Sequence, residues 1–258
     1  MGPRPDTTRD DGRPSRFERA VDRVPFLEKE LFLLRRIVRR GDVCLDIGAA
    51  GGAHLIVMAR RVGRRGQVVG IEPRPGSLRA LRRLVRLTGL GGRVRLRQVA
   101  LADREGSEVL RIPVVPTRAH LPGSTDDPEE AAAFAGLPHK EIEVPTAPLD
   151  RVVEEEGLDR VDVVKCDVEG AELLVIEGAE RVLDTLRPIV IVEADDTHQQ
   201  RFDATAQDVV DAVCRHGYRP YRYRRRRLEP VAGVVPDEDD YVLVPVERIP
   251  PLPVRGAV

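Results

Sequence analysis

The chain has 258 residues and a formal net charge of −1, with a sequence pI of about 6.6. That length suits one α/β domain with its covering helices, and the near-neutral balance supplies no global field to draw nucleic acid or an anionic membrane. No apolar run approaches the roughly 18 residues that span a bilayer, and Met1–Ser15 lacks the apolar stretch of a signal peptide. Arginine supplies 39 of the 42 basic residues, a bias that suggests G+C-rich coding and lowers the weight of any one arginine cluster. Cys44, Cys166 and Cys214 are odd in number and lie far apart. They point to a reduced, cytoplasmic chain without disulfides or a zinc site.

In chain order, residues 1–15 carry few apolar side chains and three prolines, the composition of a disordered tail. Residues 16–258 are expected to form one domain. Leu27, Leu31, Leu34 and Val38 recur at helical spacing and predict an amphipathic helix ending near Gly41. Val43–Ile47 predicts a buried strand, Leu55–Val62 a helix ended by Gly63, and Val68–Glu72 a second strand. A helix with Leu78, Leu81 and Val85 on its inner face follows, then a strand over Val94–Val99. Glu108–Ile112 and Glu141–Val144 read as strands flanking an irregular insertion, or lid, at about 113–140. Val161–Cys166 and Ile189–Glu193 predict strands separated by one helix over Ala171–Leu186, and Ala206–His216 predicts another helix. Tyr218–Tyr223 and Tyr241–Val244 supply a closing antiparallel pair around the turn-rich Glu229–Asp240. The expectation is a Rossmann-like, doubly wound α/β sheet of seven strands, mostly parallel with an antiparallel final strand.

Two constellations carry chemistry. Asp46-Ile47-Gly48-Ala49-Ala50-Gly51-Gly52 leaves a strand and opens a helix, so its glycines allow a sharp turn and a close backbone approach to a ligand. The helix start offers free N–H groups to an anion. Asp46 can accept from an ammonium, and Glu72, ending the next strand, can take two ribose hydroxyls. The spacing is not the G-x-G-x-x-G of dinucleotide folds, and an aspartate sits better beside an ammonium than beside a pyrophosphate. An amino-acid-bearing nucleoside is therefore favoured over NAD. The second constellation is Lys165-Cys166-Asp167-Val168-Glu169-Gly170-Ala171-Glu172, at the carboxyl end of a strand where α/β folds bind ligands. Asp167 as a helix N-cap with Glu169 and Glu172 in the first turn is the structural alternative.

DIGAAGG after one strand, IEP after the next and VALADREG after the third, then KCDVEGAE, GAERVLDTLRP and IVIVEAD, together resemble the FkbM-type methyltransferases. The resemblance runs from about Gly41 to Asp195, with weaker echoes at Gly217-Tyr218 and Asp240–Pro245. It implies a class I, S-adenosylmethionine-dependent O-methyltransferase acting on a hydroxyl of a sugar or secondary metabolite. By the same resemblance Asp46, Gly48 and Gly52 line the methionine end of the cofactor, Glu72 the ribose, and Ala100 and Leu101 the adenine side. Asp167 and Glu169 face the reaction centre. Family members commonly carry asparagine where this chain has Ala50, which removes one polar contact from the cofactor-binding loop.

A hydroxyl acceptor must lose its proton to a carboxylate or histidine, and His198 or Asp167 is the expected base. A divalent metal held by Asp167 with Glu193 or Asp195 is a secondary expectation that the sequence does not favour. His54, just after Gly52, is either a cofactor contact or a surface residue of the helix start. Arg222 and Arg224–Arg227 with Tyr218, Tyr221 and Tyr223 could form a stacking patch for single-stranded nucleic acid, and so an RNA methyltransferase. A solvated hairpin is the favoured reading. The expected partner is a small hydroxyl-bearing molecule, with nucleic acid and membrane disfavoured. A cofactor-binding protein without turnover is the alternative of another class.

Overall fold

The computed structural model describes residues 29–113 and 139–248. The expected tail at 1–15 and the body of the insertion at about 113–140 lie outside the described residues. One sheet of eight strands organises the fold, its strands lying side by side in the order 227–230, 218–224, 240–245, 189–193, 163–166, 43–47, 67–71 and 94–97. Its parallel part comprises β1 (Val43–Ile47), β2 (Gln67–Ile71), β3 (Val94–Arg97), β7 (Val163–Cys166) and β8 (Ile189–Glu193). These strands read as nearly unbroken apolar runs because both faces are covered. On one face α1 (Lys29–Ile37), α2 (Ala53–Val62) and α3 (Pro75–Leu87) bury Leu34, Leu55, Leu81 and Val85 against Cys44, Val68 and Val163. On the other, α4 (Leu149–Glu155) and α7 (Ala206–Cys214) pack Val152, Val209 and Val213 on Leu45, Val164 and Val190. A capping box starts α7, with Thr205 accepting from the Asp208 N–H and Asp208 accepting in return.

A second sheet stands apart. β5 (Gly106–Pro113) and β6 (His139–Ala147) pair antiparallel from Gly106↔Thr146 to Pro113↔His139. The two residues of β4 (Ala100–Leu101) join β6 in parallel. The flanking strands read from the sequence therefore pair with each other, outside the main sheet.

Two expectations are corrected. The main sheet has eight strands, with three antiparallel members at one end: β9 (Tyr218–Arg224), β10 (Arg227–Pro230) and β11 (Asp240–Pro245). The extra strand, β10, begins just before the segment read as turn-rich and ends inside it, at Pro230. It follows a two-residue hairpin in which Arg225 and Arg226 both adopt positive φ, 49° and 65°. That geometry usually calls for Asn or Gly, so an Arg-Arg pair gives no signal for it.

The helix expected over Ala171–Leu186 is broken into α5 (Glu172–Glu177) and a π-helical turn at Val182–Leu186. The chain at Gly178 lies so close to its neighbours that a Cβ would fall 2.3 Å from the Ala102 carbonyl oxygen. Asp150 then supplies both carboxylate oxygens, at 2.8 Å, to the N–H groups of Arg181 and Val182. Asp150→Ala removes both acceptors and is expected to cost about 1–2 kcal/mol, read as a lower urea midpoint with an unchanged denaturant slope. An unchanged midpoint would show that water satisfies these groups equally well.

Candidate active site

The carboxyl ends of β1, β2, β7 and β8 meet through their loops. The Gly48 and Ala49 N–H groups both donate to the Ile71 carbonyl, at 3.0 and 3.1 Å, and the Asp167 N–H donates to the Ile47 carbonyl at 3.2 Å. Gly48, at φ +77°, lies under the loop after β7: a Cβ there would come within 1.7 Å of the Asp167 carbonyl oxygen. Gly52, at φ +81°, faces Leu81 and Leu84 of α3 at 2.7 and 2.9 Å from where its Cβ would be. Gly48 is thus required by packing against backbone, whereas at Gly52 the left-handed φ is what favours glycine, roles separate from the ligand approach that the sequence suggested.

Side chains alternate across a strand, so Asp46, Lys165 and Glu193 share the face of Cys44, Val163 and Ile191. Asp240 joins them from β11, as register partner of Glu193. Glu30 of α1 and His54 of α2 approach from the helical layer, with His54 Nε2 3.1 Å from Glu30 Oε2. His54 is therefore directed to a buried acid of α1. Lys165 is fully buried; its ammonium bonds to Asp167 and stands 3.9 Å from Glu30. Burial opposes its charge, but Glu30, Asp167 and Asp46 outweigh that cost and hold its pKa above the ordinary lysine value.

Asp46 is 0% exposed, and neither of its carboxylate oxygens has a hydrogen-bond partner. Burial raises its pKa, with Lys165 acting against the rise. Glu72 is equally buried but fully engaged. Oε1 accepts from the Arg74 N–H and Nε at 2.9 and 2.8 Å, and Oε2 from the Ala50 N–H at 2.9 Å and Arg74 Nη2 at 3.2 Å. A carboxylate offers about four lone-pair sites, so the half-exposed Arg74 side chain occupies two of them. Ala50 itself holds φ +35°, a conformation that asparagine tolerates better.

The loop after β7 is held from within. Glu172, 1% exposed, accepts from the Val168 N–H at 2.7 Å, from the Gly170 N–H at 3.0 Å and from the buried Gln199 amide. The N-cap of α5 is Ala171, with no side-chain cap bond. Asp167 as N-cap is therefore corrected: the capping work falls to Glu172, reaching back from inside the helix. Asp167 is left to Lys165 and to Glu193, with which it shares a carboxyl–carboxylate hydrogen bond. Burial pushes Asp167 up, yet Lys165 outweighs it and keeps the group below its ordinary pKa. Glu193 carries the proton of the pair, pushed up to about 9 by burial and by the Asp167 charge.

His198 follows β8 in α6 (Asp196–Gln199). Its backbone carbonyl lies against Gly170, where a Cβ would come within 2.4 Å. The ring is ringed by acids: Nδ1 is 4.0 Å from Glu193 and 3.9 Å from Asp195, and Nε2 is 4.0 Å from Glu169. Glu169 is otherwise exposed, and Asp195 caps α6 through the Thr197 N–H at 2.8 Å. The structure therefore brings Asp46, Glu72, Asp167 and His198 to one edge. Leu101 does not contribute its side chain to that edge, since it is 6% exposed and packed in the core. Ala100 pairs with Thr146 in the second sheet.

Asp167, Glu172 and Glu193 place carboxylate oxygens within 4.8 Å of one another. Of the two pairs read from the sequence, Asp167 with Glu193 is brought together and Glu172 joins it, whereas Asp195 is not part of the cluster. Three protein donors already satisfy Glu172, and the Lys165 ammonium sits on Asp167.

The sequence model of the Methyltransferase FkbM domain matches residues 46–220. Among solved structures the chain is similar to methyltransferase FkbM from Methylobacillus flagellatus KT, with 15% identity and a TM-score of 0.50, over 83% of this chain and 50% of that one. It is also similar to the O-methyltransferase from Bacillus cereus in complex with SAH, at 17% identity and a TM-score of 0.45, over 87% and 82% of the two chains. A stretch of 53 residues, 20% of this chain and 20% of the other, is 40% identical to ribosomal RNA large subunit methyltransferase E of Anaeromyxobacter dehalogenans (strain 2CP-C). The chain thus spans half the length of the first structure and a fifth of that curated relative.

The proton on Glu193 has a measurable consequence. Its folded pKa lies above the ordinary value of 4.5, so the unfolded chain releases the proton first and stability falls as pH rises from about 4.5 to 9. Glu193→Gln cannot titrate. It is expected to match the parent in urea unfolding at pH 5 and to exceed it at pH 8.5; identical pH profiles would disprove the assignment.

Proposed function

The chain belongs to the FkbM family of S-adenosylmethionine-dependent methyltransferases, and on that premise we propose that it methylates a hydroxyl of a small sugar or secondary-metabolite acceptor. The observation that carries the cofactor half is Asp46. A fully buried carboxylate with both oxygens unpartnered suits a ligand ammonium, since a buried charge is stable only when paired. Glu72 suits the ribose hydroxyls once Arg74 gives way, and the loop from Gly48 to Gly52 brings backbone N–H groups to the same side. S-adenosylmethionine supplies a methyl group on a sulfonium, whose departure leaves a neutral thioether.

The protein's task is then to orient the acceptor, exclude water and take one proton. Asp167, ionised and partly exposed, is suited to orient the hydroxyl. Its depressed pKa makes it a poor proton acceptor. His198 is better placed for that step, because the carboxylates of Asp195 and Glu169 stand 3.9 and 4.0 Å from its ring nitrogens and would face the positive charge it gains. The free cysteines Cys44, Cys166 and Cys214 support a reducing, cytoplasmic setting. No helix among the described residues is long and apolar enough to cross a membrane.

The hairpin route to an RNA acceptor loses support. Tyr218, Tyr221 and Tyr223 are 4–6% exposed, so their rings are packed inside, and Arg222 pairs with Glu229 at 2.8 Å.

Isothermal titration with S-adenosylmethionine tests the cofactor assignment. Glu72→Ala is expected to weaken binding by about tenfold or more, the loss of hydrogen bonds to a charged group, whereas Arg74→Ala binds as tightly as the parent or tighter. Absence of heat with the parent protein would end the proposal. His198→Ala is expected to lower kcat by about 10²–10⁴ against a panel of glycosides with labelled methyl donor, with cofactor affinity unchanged. Full turnover in that variant would move the base elsewhere, and cofactor binding without turnover on any acceptor would favour a binding protein.

A further inference from the structure

The net charge of −1 conceals a separation of charge. Residues 29–97 hold 17 lysines and arginines but only four acids, Glu30, Asp42, Asp46 and Glu72. Three of these acids are buried at the carboxyl edge of the sheet. Asp42 stands at the amino edge, where it accepts from the Arg39 N–H at 2.8 Å, and Asp162 beside it pairs with Arg160 at 2.8 Å. An arginine-rich coding bias raises arginine everywhere, but it does not remove acids from one layer of the fold.

At that amino edge a cavity of about 670 Å³ opens between the chain before β1, the end of α2 and the turn before β3, lined by Arg40, Arg60, Arg64, Arg65 and Arg93. α3 ends beside it. Arg79, Arg82, Arg83 and Arg86 are exposed along the outer face of that helix, at the three- and four-residue spacing that makes one stripe. None of these four has an ion-pair partner among the described residues. Thirteen residues of helix extend about 20 Å, enough to follow several consecutive phosphates of one strand. The arginine fork matches phosphate geometry.

We propose that the amino-edge pocket and the α3 stripe together bind the phosphodiester backbone of a nucleic acid. A lipid surface fits less well. The apolar side of α3, Leu78, Leu81 and Val85, is buried against the sheet, and Leu87 at its end is a single exposed apolar side chain, so the helix has no apolar face to insert; the pocket itself is concave. The site lies at the opposite ends of the strands from Asp46, Glu72 and Asp167, so the inference does not rest on the acceptor assigned to the carboxyl edge.

Fluorescence anisotropy of the full chain with a labelled single-stranded RNA of about 20 nucleotides tests it. Micromolar binding is expected at about 50 mM salt, weakening at least tenfold by about 200 mM, the signature of counterion release. The variant Arg64→Glu/Arg65→Glu/Arg82→Glu/Arg86→Glu should lose at least tenfold in affinity while its heat of S-adenosylmethionine binding stays unchanged. Should that variant fold poorly, Arg79→Gln/Arg83→Gln, confined to the stripe, should still weaken binding severalfold. Vesicles containing phosphatidylserine should not bind. The proposal is overturned by absence of RNA binding, by variants that bind as well as the parent, or by arginine-dependent vesicle binding without RNA binding.

Discussion

The buried ammonium of Lys165 is the interaction on which the carboxyl edge depends. Six acids gather there, Glu30, Asp46, Asp167, Glu172, Glu193 and Asp240, on elements from α1 to β11. Packing so many carboxyls in a low-dielectric layer is costly unless charge is neutralised or protons are taken up. Both happen. Lys165 holds Asp167 in the ionised form against the cost of burial, and His54 together with Lys165 does the same for Glu30, whereas burial pushes Glu193 to about 9 and Asp240 to about 8. The result is a graded set of carboxyls within one small volume, some charged and some neutral at pH 7. Asp46 is the member left without a hydrogen-bond donor, which makes it the natural seat for a cationic ligand group.

Close backbone approach fixes where this set can act. The loop carrying Asp167 rests on Gly48 and is anchored at its other end by the His198 carbonyl over Gly170. A methyl group at either glycine would collide with a carbonyl oxygen, so the glycines act first as spacers between loops. The nucleoside-binding loop after β1 and the acidic loop after β7 therefore form one rigid ledge. Glu172 completes it by satisfying two loop N–H groups from inside α5. This explains an acid at the first position of a helix of only six residues, where dipole stabilisation alone is small.

The charge distribution shows why a sum can mislead. A value near zero gives no reason to expect a polyanion partner, yet it averages a basic layer, α1 to β3, against acidic segments elsewhere in the chain. Steering and binding respond to the local field, and at the amino edge that field comes from arginines on three separate connections. The tyrosines of β9, by contrast, look available in the sequence and are packed in the core. Exposure reversed the functional weight of both groups.

Much of the fold was legible without coordinates because apolar periodicity is local. Val43–Ile47 and Ile189–Glu193 were bounded to the residue, and α2 was ended at Gly63 as expected, at φ +68°. The loop Asp46–Gly52, the acid Glu72 and the segment from Lys165 to Glu172 were likewise visible, since each is a short contiguous motif with its own spacing. What the sequence could not reveal are relations between distant positions. The pairing of Asp167 with Glu193 joins residues 26 apart, and the ion pair of Lys165 with Glu30 joins residues 135 apart. The occupation of Glu72 by Arg74, the break at Gly178 and the strand β10 were also decided by tertiary structure. In each case the determining contact depends on which loop or strand lies alongside, and on how much water that neighbour excludes. Local sequence encodes neither quantity: it specifies which side chains can carry charge or turn the chain, while packing decides which of them meet and which keep their protons.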